Sequence, residues 1–164
     1  MTIKLRILLA SAVIALVTSG CGQKDTSTPA TTAAVPAGPR TVEITASDNM
    51  KYNLASIEAK PGEQLTVILT NIGTQPKDVM GHNWILLKAG TDVEAFDKAA
   101  TASKATDYFP TSLADQVLAH IPLLGPRKSG EITFTVPTTP GEYPFLCSFP
   151  AHFQVGMKGM LIVK

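Results

Sequence analysis

Neither sign of charge is in excess: 14 lysines and arginines stand against 13 aspartates and glutamates, a net charge of +1 over 164 residues. The two signs are interspersed, so there is no basic stripe to grip nucleic acid and no acidic tail. Partner recognition is not driven by bulk charge. A membrane-spanning run is missing too, because the apolar stretch from Ile7 to Val17 is eleven residues long and too short to cross a bilayer. Cysteine occurs twice, as Cys21 and Cys147, which excludes a disulfide-dense scaffold. What remains, with 45% hydrophobic residues, is enough for one globular domain with its own core.

The N-terminus has an export pattern. Lys4 and Arg6 precede the apolar run, and Thr18, Ser19, Gly20 and Cys21 follow it. The arrangement resembles a bacterial lipoprotein signal, with Thr18 where such signals usually carry leucine. It implies a signal peptide over residues 1–20, lipidation at Cys21, and a periplasmic or outer-face location held by that anchor. A conventional secretory signal is the alternative. Gly22 after the cysteine fits outer-membrane sorting in a Gram-negative cell. Residues 21–39, rich in Thr, Ala and Pro, read as a flexible tether spanning roughly 20–25 Å. If Cys21 carries lipid, Cys147 is a free thiol in an exported protein, and metal ligation is one explanation for it.

Over residues 40–164 the hydrophobic period is two. Val42, Ile44 and Ala46 share a face; so do Leu65, Val67 and Leu69; His82, Trp84 and Leu86; Ile132, Phe134 and Val136; and Tyr143, Phe145 and Cys147. "MLIVK" reads as a C-terminal strand, and turns such as Lys60-Pro61-Gly62-Glu63 and Thr139-Pro140-Gly141 punctuate the pattern. The expected fold is an all-β sandwich. The Ala-rich stretch from Asp92 to Phe109 breaks the period and suits a short helix in a long connection between strands, outside the sheets.

Alternation turns Cys147 inward at the end of its strand. His152 follows five residues later and Met157 five after that, in "CSFPAHFQVGM", on a loop that must double back into the last strand. "MGHNW" supplies His82 from a second strand, behind Gly81, whose carbonyl is unshielded. One thiolate, two imidazoles and a thioether match a trigonal copper site with a long axial methionine. Thiolate and thioether favour Cu(I), and imidazoles serve both oxidation states. Taken singly, each residue has an ordinary reading: an inert buried thiol, a loop histidine, a core methionine, a satisfied core histidine. His120 lies far from both motifs and reads as a structural or surface residue.

Together, "MGHNW" and "CSFPAHFQVGMKG" resemble the blue copper proteins, or cupredoxins, of the azurin and auracyanin type, from about Thr41 to Lys164 and including "VLAHIPLLG". The resemblance implies a Greek-key β-sandwich with one type 1 copper on His82, Cys147, His152 and Met157, and the Gly81 carbonyl as a weak axial contact. It also implies that Asn83 ties the His82 strand to the ligand loop through Ser148, and that the amides of Asn83 and Phe149 point at the Cys147 sulfur. His152 is expected to reach the surface as the electron port, ringed by an apolar docking patch of Met80, Phe149, Pro150, Ala151, Phe153 and Val155. The His-x4-Met spacing is one residue longer than azurin's and resembles auracyanin. The azurin disulfide has no counterpart, since no cysteine lies between Cys21 and Cys147.

The function implied is one-electron shuttling by a monomer between exported or membrane-associated redox proteins such as cytochromes or copper oxidoreductases, without enzymatic activity. A tethered copper-delivery domain is the competing class. A Cys147–His152 nucleophilic pair is the enzymatic alternative. It lacks an orienting Asn or Asp and leaves Met157 and His82 unexplained. Zinc accepts Cys and His as well, but a thioether contributes little to it.

Overall fold

The computed structural model describes residues 38–164. The expected signal peptide, Cys21 and the expected tether as far as residue 37 lie outside the described residues. Among the described residues, eight strands form two sheets. β1 (Arg40–Ala46), β3 (Gln64–Asn71) and β6 (Ser129–Thr135) make one, in the order β1-β3-β6. β2 (Ser56–Ala59), β4 (His82–Leu87), β5 (Val117–Leu124), β7 (Gly141–Leu146) and β8 (Lys158–Val163) make the other, in the order β2-β8-β7-β4-β5. β1 pairs with β3 and β2 with β8 in parallel, and every other strand pairing is antiparallel.

Period-two burial builds the core. Ile44, Leu65, Val67 and Leu69 from the smaller sheet meet Trp84, Leu86, Ile121, Phe145 and Leu161 from the larger one. Ile132 and Phe134 are only half-buried because β6 lies at an edge. β4 departs from simple alternation, with all six residues buried. Its second face is covered: Ile85 and Leu87 join Leu146 beneath Phe96 and Ala100 of a helix on the outer side of the sheet. A strand buried on both faces reads as a continuous apolar run.

That helix is shorter than the expected Asp92–Phe109 stretch. After a four-residue turn, α1 (Lys77–Met80), comes the nine-residue helix α2 (Val93–Thr101), whose N-cap Asp92 accepts a hydrogen bond from Ala95 N–H at 3.0 Å. A 3₁₀ turn follows at Lys104–Thr106, and then Asp107 and Tyr108 both take the left-handed conformation, with φ of 53° and 61°. Two consecutive positive φ values cannot continue a right-handed helix. β2 and β5 were not among the strands read from the sequence. β2 has four residues, and β5 contains Pro122, which an edge strand tolerates because one side of its ladder is unpaired. Among the described residues no helix is long and apolar enough to cross a membrane.

Candidate metal centre

Two chain segments bring the chemistry to one rim of the sandwich. In the first, β4 opens on His82 immediately after α1 and Gly81. A Cβ at Gly81 would stand 2.5 Å from the Lys77 carbonyl oxygen and 2.9 Å from Leu123 Cγ, so glycine is needed to deliver His82 at this point. In the second, the chain leaves β7 at Cys147 and turns back. The turn is closed by its own backbone: His152 N–H donates to Phe149 O at 3.0 Å, Val155 N–H to Ala151 O at 3.1 Å, Gly156 N–H to Phe153 O at 2.9 Å and Met157 N–H to His152 O at 2.9 Å. Ala151 and Gly156 carry the positive φ values, 71° and 96°, that the reversal requires. Cys147 N–H then donates to Met157 O at 3.0 Å, joining the two ends.

One donor atom each of His82, Cys147 and His152 lies within 4.8 Å of the others, and all three residues are buried. Cys147 Sγ is 3.4 Å from His152 Nδ1, and the two imidazole rings stand 4.9 Å apart between centroids. Met157 is fully buried in the same core cluster as Cys147. Asn83 and Ser148 link the segments reciprocally: Asn83 Nδ2 donates to Ser148 Oγ at 2.8 Å, and Ser148 N–H donates to Asn83 Oδ1 at 2.9 Å. Ser148 Oγ–H continues to the Tyr108 carbonyl at 2.6 Å, and Tyr52 O–H donates to the Asn83 carbonyl. The backbone N–H groups of Asn83 and Phe149 lie near enough to the Cys147 sulfur to favour the thiolate.

Burial dominates the electrostatics. It pushes the Cys147 thiol up to about 12, against the two amides that favour the thiolate. It pulls His152 down to about 4, helped by the neighbouring His82, and lowers His82, where the Asp48 carboxylate opposes it. At neutral pH the cluster is therefore a thiol and two neutral imidazoles. Neither ring nitrogen of His82 has a hydrogen-bond partner; the Ser47 backbone lies near enough to favour the charged ring but outside bonding geometry. A buried imidazole with two unpaired nitrogens is costly. A cation that takes the place of the thiol proton would use that nitrogen lone pair and the sulfur together, and soft sulfur with imidazole nitrogen suits copper. The donor set fits the metal.

The expected docking patch is only partly there. Val155 is 44% exposed, Ala151 is exposed, and Met80 and Pro150 are half-buried. Phe149 is buried, with its ring edge-on to Tyr108 at 5.0 Å. Phe153 does not belong to the patch. It turns onto α2 in the outer cluster, with Lys158 Nζ 4.2 Å from its ring centroid. His152 does not break the surface either: it is 1% exposed, with the Phe149 ring 4.8 Å away. Val79, 54% exposed beside Met80, is an apolar surface residue that the sequence reading missed. His120 is exposed and stacks on Phe109 at 4.5 Å, away from the cluster.

Asp97 was also unforeseen. It sits on α2 with 2% exposure, accepts a hydrogen bond from Gln154 Nε2 in the ligand loop, and leaves its other oxygen unpartnered. Burial pushes its carboxyl up to about 6, although Gln154 and the Lys158 ammonium both lower it. The folded chain thus holds this proton more tightly than the unfolded chain, whose aspartates titrate near about 3.9. The resulting stabilisation is complete below that value and is lost as pH rises through about 6. Stability of wild type minus that of Asp97→Asn should therefore fall between pH 4 and 7, by at most about 3 kcal/mol. Urea midpoints of both proteins across that range measure it, and the subtraction removes the opposite slope contributed by the two depressed histidines.

A two-sheet sandwich that holds a buried His-Cys-His cluster at one rim, with a methionine on the same loop, defines the cupredoxin class. Within it, this chain belongs to the plastocyanin/azurin family of copper binding proteins, whose sequence profile matches residues 40–164. Azurin from Bordetella pertussis is 37% identical over 123 residues, covering 73% of this chain and 81% of that protein. Outer membrane protein H.8 from Neisseria meningitidis is 35% identical over 118 residues, covering 71% of this chain and 63% of that one. Among solved structures, reduced auracyanin from the photosynthetic bacterium Roseiflexus castenholzii superposes with a TM-score of 0.67 at 36% identity, covering 76% of this chain and 96% of that one. The family makes the protein a one-electron carrier with one type 1 copper rather than an enzyme.

Proposed function

We propose that His82, Cys147 and His152 would hold the copper, that Met157 would add its thioether as a weaker fourth ligand, and that the loaded protein passes electrons between exported redox proteins. The observation that carries this reading is the convergence of three buried donor atoms within 4.8 Å, His82 from the start of β4, Cys147 from the end of β7 and His152 from the loop closed by its own backbone hydrogen bonds. Copper bound there supplies a Cu(I)/Cu(II) couple. The chain's part is to hold the donors where they stand, through the Asn83–Ser148 pair and the closed backbone turn, and to exclude water from them. The Asn83 and Phe149 amides beside the Cys147 sulfur would withdraw electron density from the thiolate. The Gly81 carbonyl, one residue before His82, would add a further weak contact to the metal.

His152 comes nearest the surface patch in chain order, between exposed Ala151 and Val155. We assign docking to an apolar rim of Met80, Pro150, Ala151 and Val155, with Val79 added and Phe153 removed. An interface of this size would be small and short-lived, as redox encounters are. Partners are cytochromes or copper oxidoreductases of the same compartment. Export, lipidation of Cys21, and a tether over residues 21–39 that leaves the 40–164 domain free of the membrane are supported by the signal-like N-terminus and by likeness to a protein named for the outer membrane.

The test is the optical and EPR spectrum of the purified protein loaded with Cu(II). An intense blue thiolate-to-copper band with a narrow copper hyperfine splitting is expected. A colourless Cu(II) protein with an ordinary tetragonal spectrum would overturn the assignment.

A further inference from the structure

Four residues separate His152 from Met157, and holding a loop in one shape costs conformational entropy for every residue in it. Its side chains do not all face solvent. Phe153 enters the cluster of Ile85, Leu87, Leu146, Phe96 and Ala100, and Gln154, otherwise exposed, sends its amide onto Asp97. Both contacts end on α2.

Asp97 occupies a place where a charged side chain is expensive. It is 2% exposed between Phe96 and Lys98 on a nine-residue helix, with one carboxylate oxygen unpartnered. Alanine there would spare the helix a buried polar group, so stability of α2 gives no reason for the residue. Its one hydrogen bond runs to the loop. The pair stands at a cleft of about 590 Å³ lined also by Glu94, Lys98, Thr101, Phe153 and Lys158, so without it solvent could part the loop from the helix. The loop's other flank is held as well, by Lys51 Nζ donating to the Val155 carbonyl.

We propose that Asp97 is a positioning residue for the metal centre: through Gln154, and together with Phe153, it clamps the His152–Met157 span onto α2 so that the loop keeps its donors in register with Cys147. On this account α2 is a buttress of the ligand loop as well as a cover for the outer face of the sheet. The proposal rests on the assignment of His152 and Met157 as ligands. Deleting the hydrogen bond should loosen the loop without dissolving the domain. The other charged groups facing Asp97 are Glu94 and Lys98 on its own helix and Lys158 on β8, and none of them bonds to it.

Gln154→Ala, at an exposed position, decides the matter. In the metal-free protein, amide hydrogen exchange at Val155, Gly156 and Met157 should quicken about tenfold, and in the copper-loaded protein release to a chelator should quicken about tenfold with a displaced reduction potential. Asp97→Ala should reproduce both changes, and the double variant should exceed neither single one. Asp97→Asn keeps an acceptor for Gln154 and should stay within about twofold of wild type. Unchanged exchange and release in Gln154→Ala would overturn the clamp, as would additive effects in the double variant. If Asp97→Ala does not fold, Gln154→Ala and Asp97→Asn carry the test. A wild-type protein lacking the blue spectrum would sink the ligand assignment instead, while exchange in the metal-free chain would still report on the clamp.

Discussion

Cys147→Ser should give a folded protein that has lost the blue band entirely. The side chain is fully buried, so the change keeps the shape and exchanges sulfur for a hydroxyl beside the amides of Asn83 and Phe149. The metal-free protein should therefore lose only about 1–2 kcal/mol. The loss of metal affinity is far larger. Changing a residue that merely orients a ligand costs about 10–100-fold, so removing the one anionic donor should exceed 100-fold. Binding stabilises the folded state in proportion to the logarithm of affinity, and a 100-fold loss removes about 2.7 kcal/mol of it. For a domain of this size the rise in melting temperature on adding Cu(II) should shrink by roughly 10 °C. Absorbance and thermal unfolding, each with and without Cu(II), measure both effects. A variant that stays blue would take Cys147 out of the ligand set.

The experiment isolates one donor because the rest of the cluster is held independently. His82 arrives on β4, fixed by β5 and by β7 through pairings that do not involve Cys147. His152 and Met157 are fixed by hydrogen bonds within their own loop. This independence is also why the cluster could be read before any coordinates. Cys147, His152 and Met157 lie within eleven residues, so a single reversal brings them together, and period-two burial alone turns Cys147 inward. His82 needed only the same rule applied to a second strand.

What stayed hidden depended on elements whose partners are remote. The outward turn of Phe153 cannot be read from "HFQVGM", because an aromatic beside a surface loop suits a docking patch equally well until α2 is placed beneath it. Asp97 looks like one more polar residue on the wet face of an amphipathic helix. Its burial follows from the loop packing across that helix, a contact between residues 57 positions apart. β5 was masked by Pro122, which speaks against a strand unless the strand is known to be an edge. The burial of His152 likewise follows from how the rings of His82 and Phe149 close around it.

The link between the two ligand-bearing segments is where the largest loss of stability should be found. Asn83→Ala should lower the unfolding free energy by about 2–4 kcal/mol, summing two lost hydrogen bonds and a Ser148 N–H left buried without a partner. Asn83 is 2% exposed and Ser148 fully buried, so water cannot step in without opening the rim. Ser148→Ala should cost less, about 1–2 kcal/mol, because Ser148 N–H keeps its bond to Asn83 Oδ1 while the Asn83 amide and the Tyr108 carbonyl each lose a partner. In the double variant the costs should fall short of their sum by about 1 kcal/mol, the signature of groups in direct contact. Urea unfolding of the metal-free proteins reads all three values. A cost below about 0.5 kcal/mol for Asn83→Ala would mean that the strands hold the rim unaided. The expected cost means instead that one asparagine ties His82 to the Cys147 loop across 65 residues of chain, and that the metal site is rigid before any metal arrives.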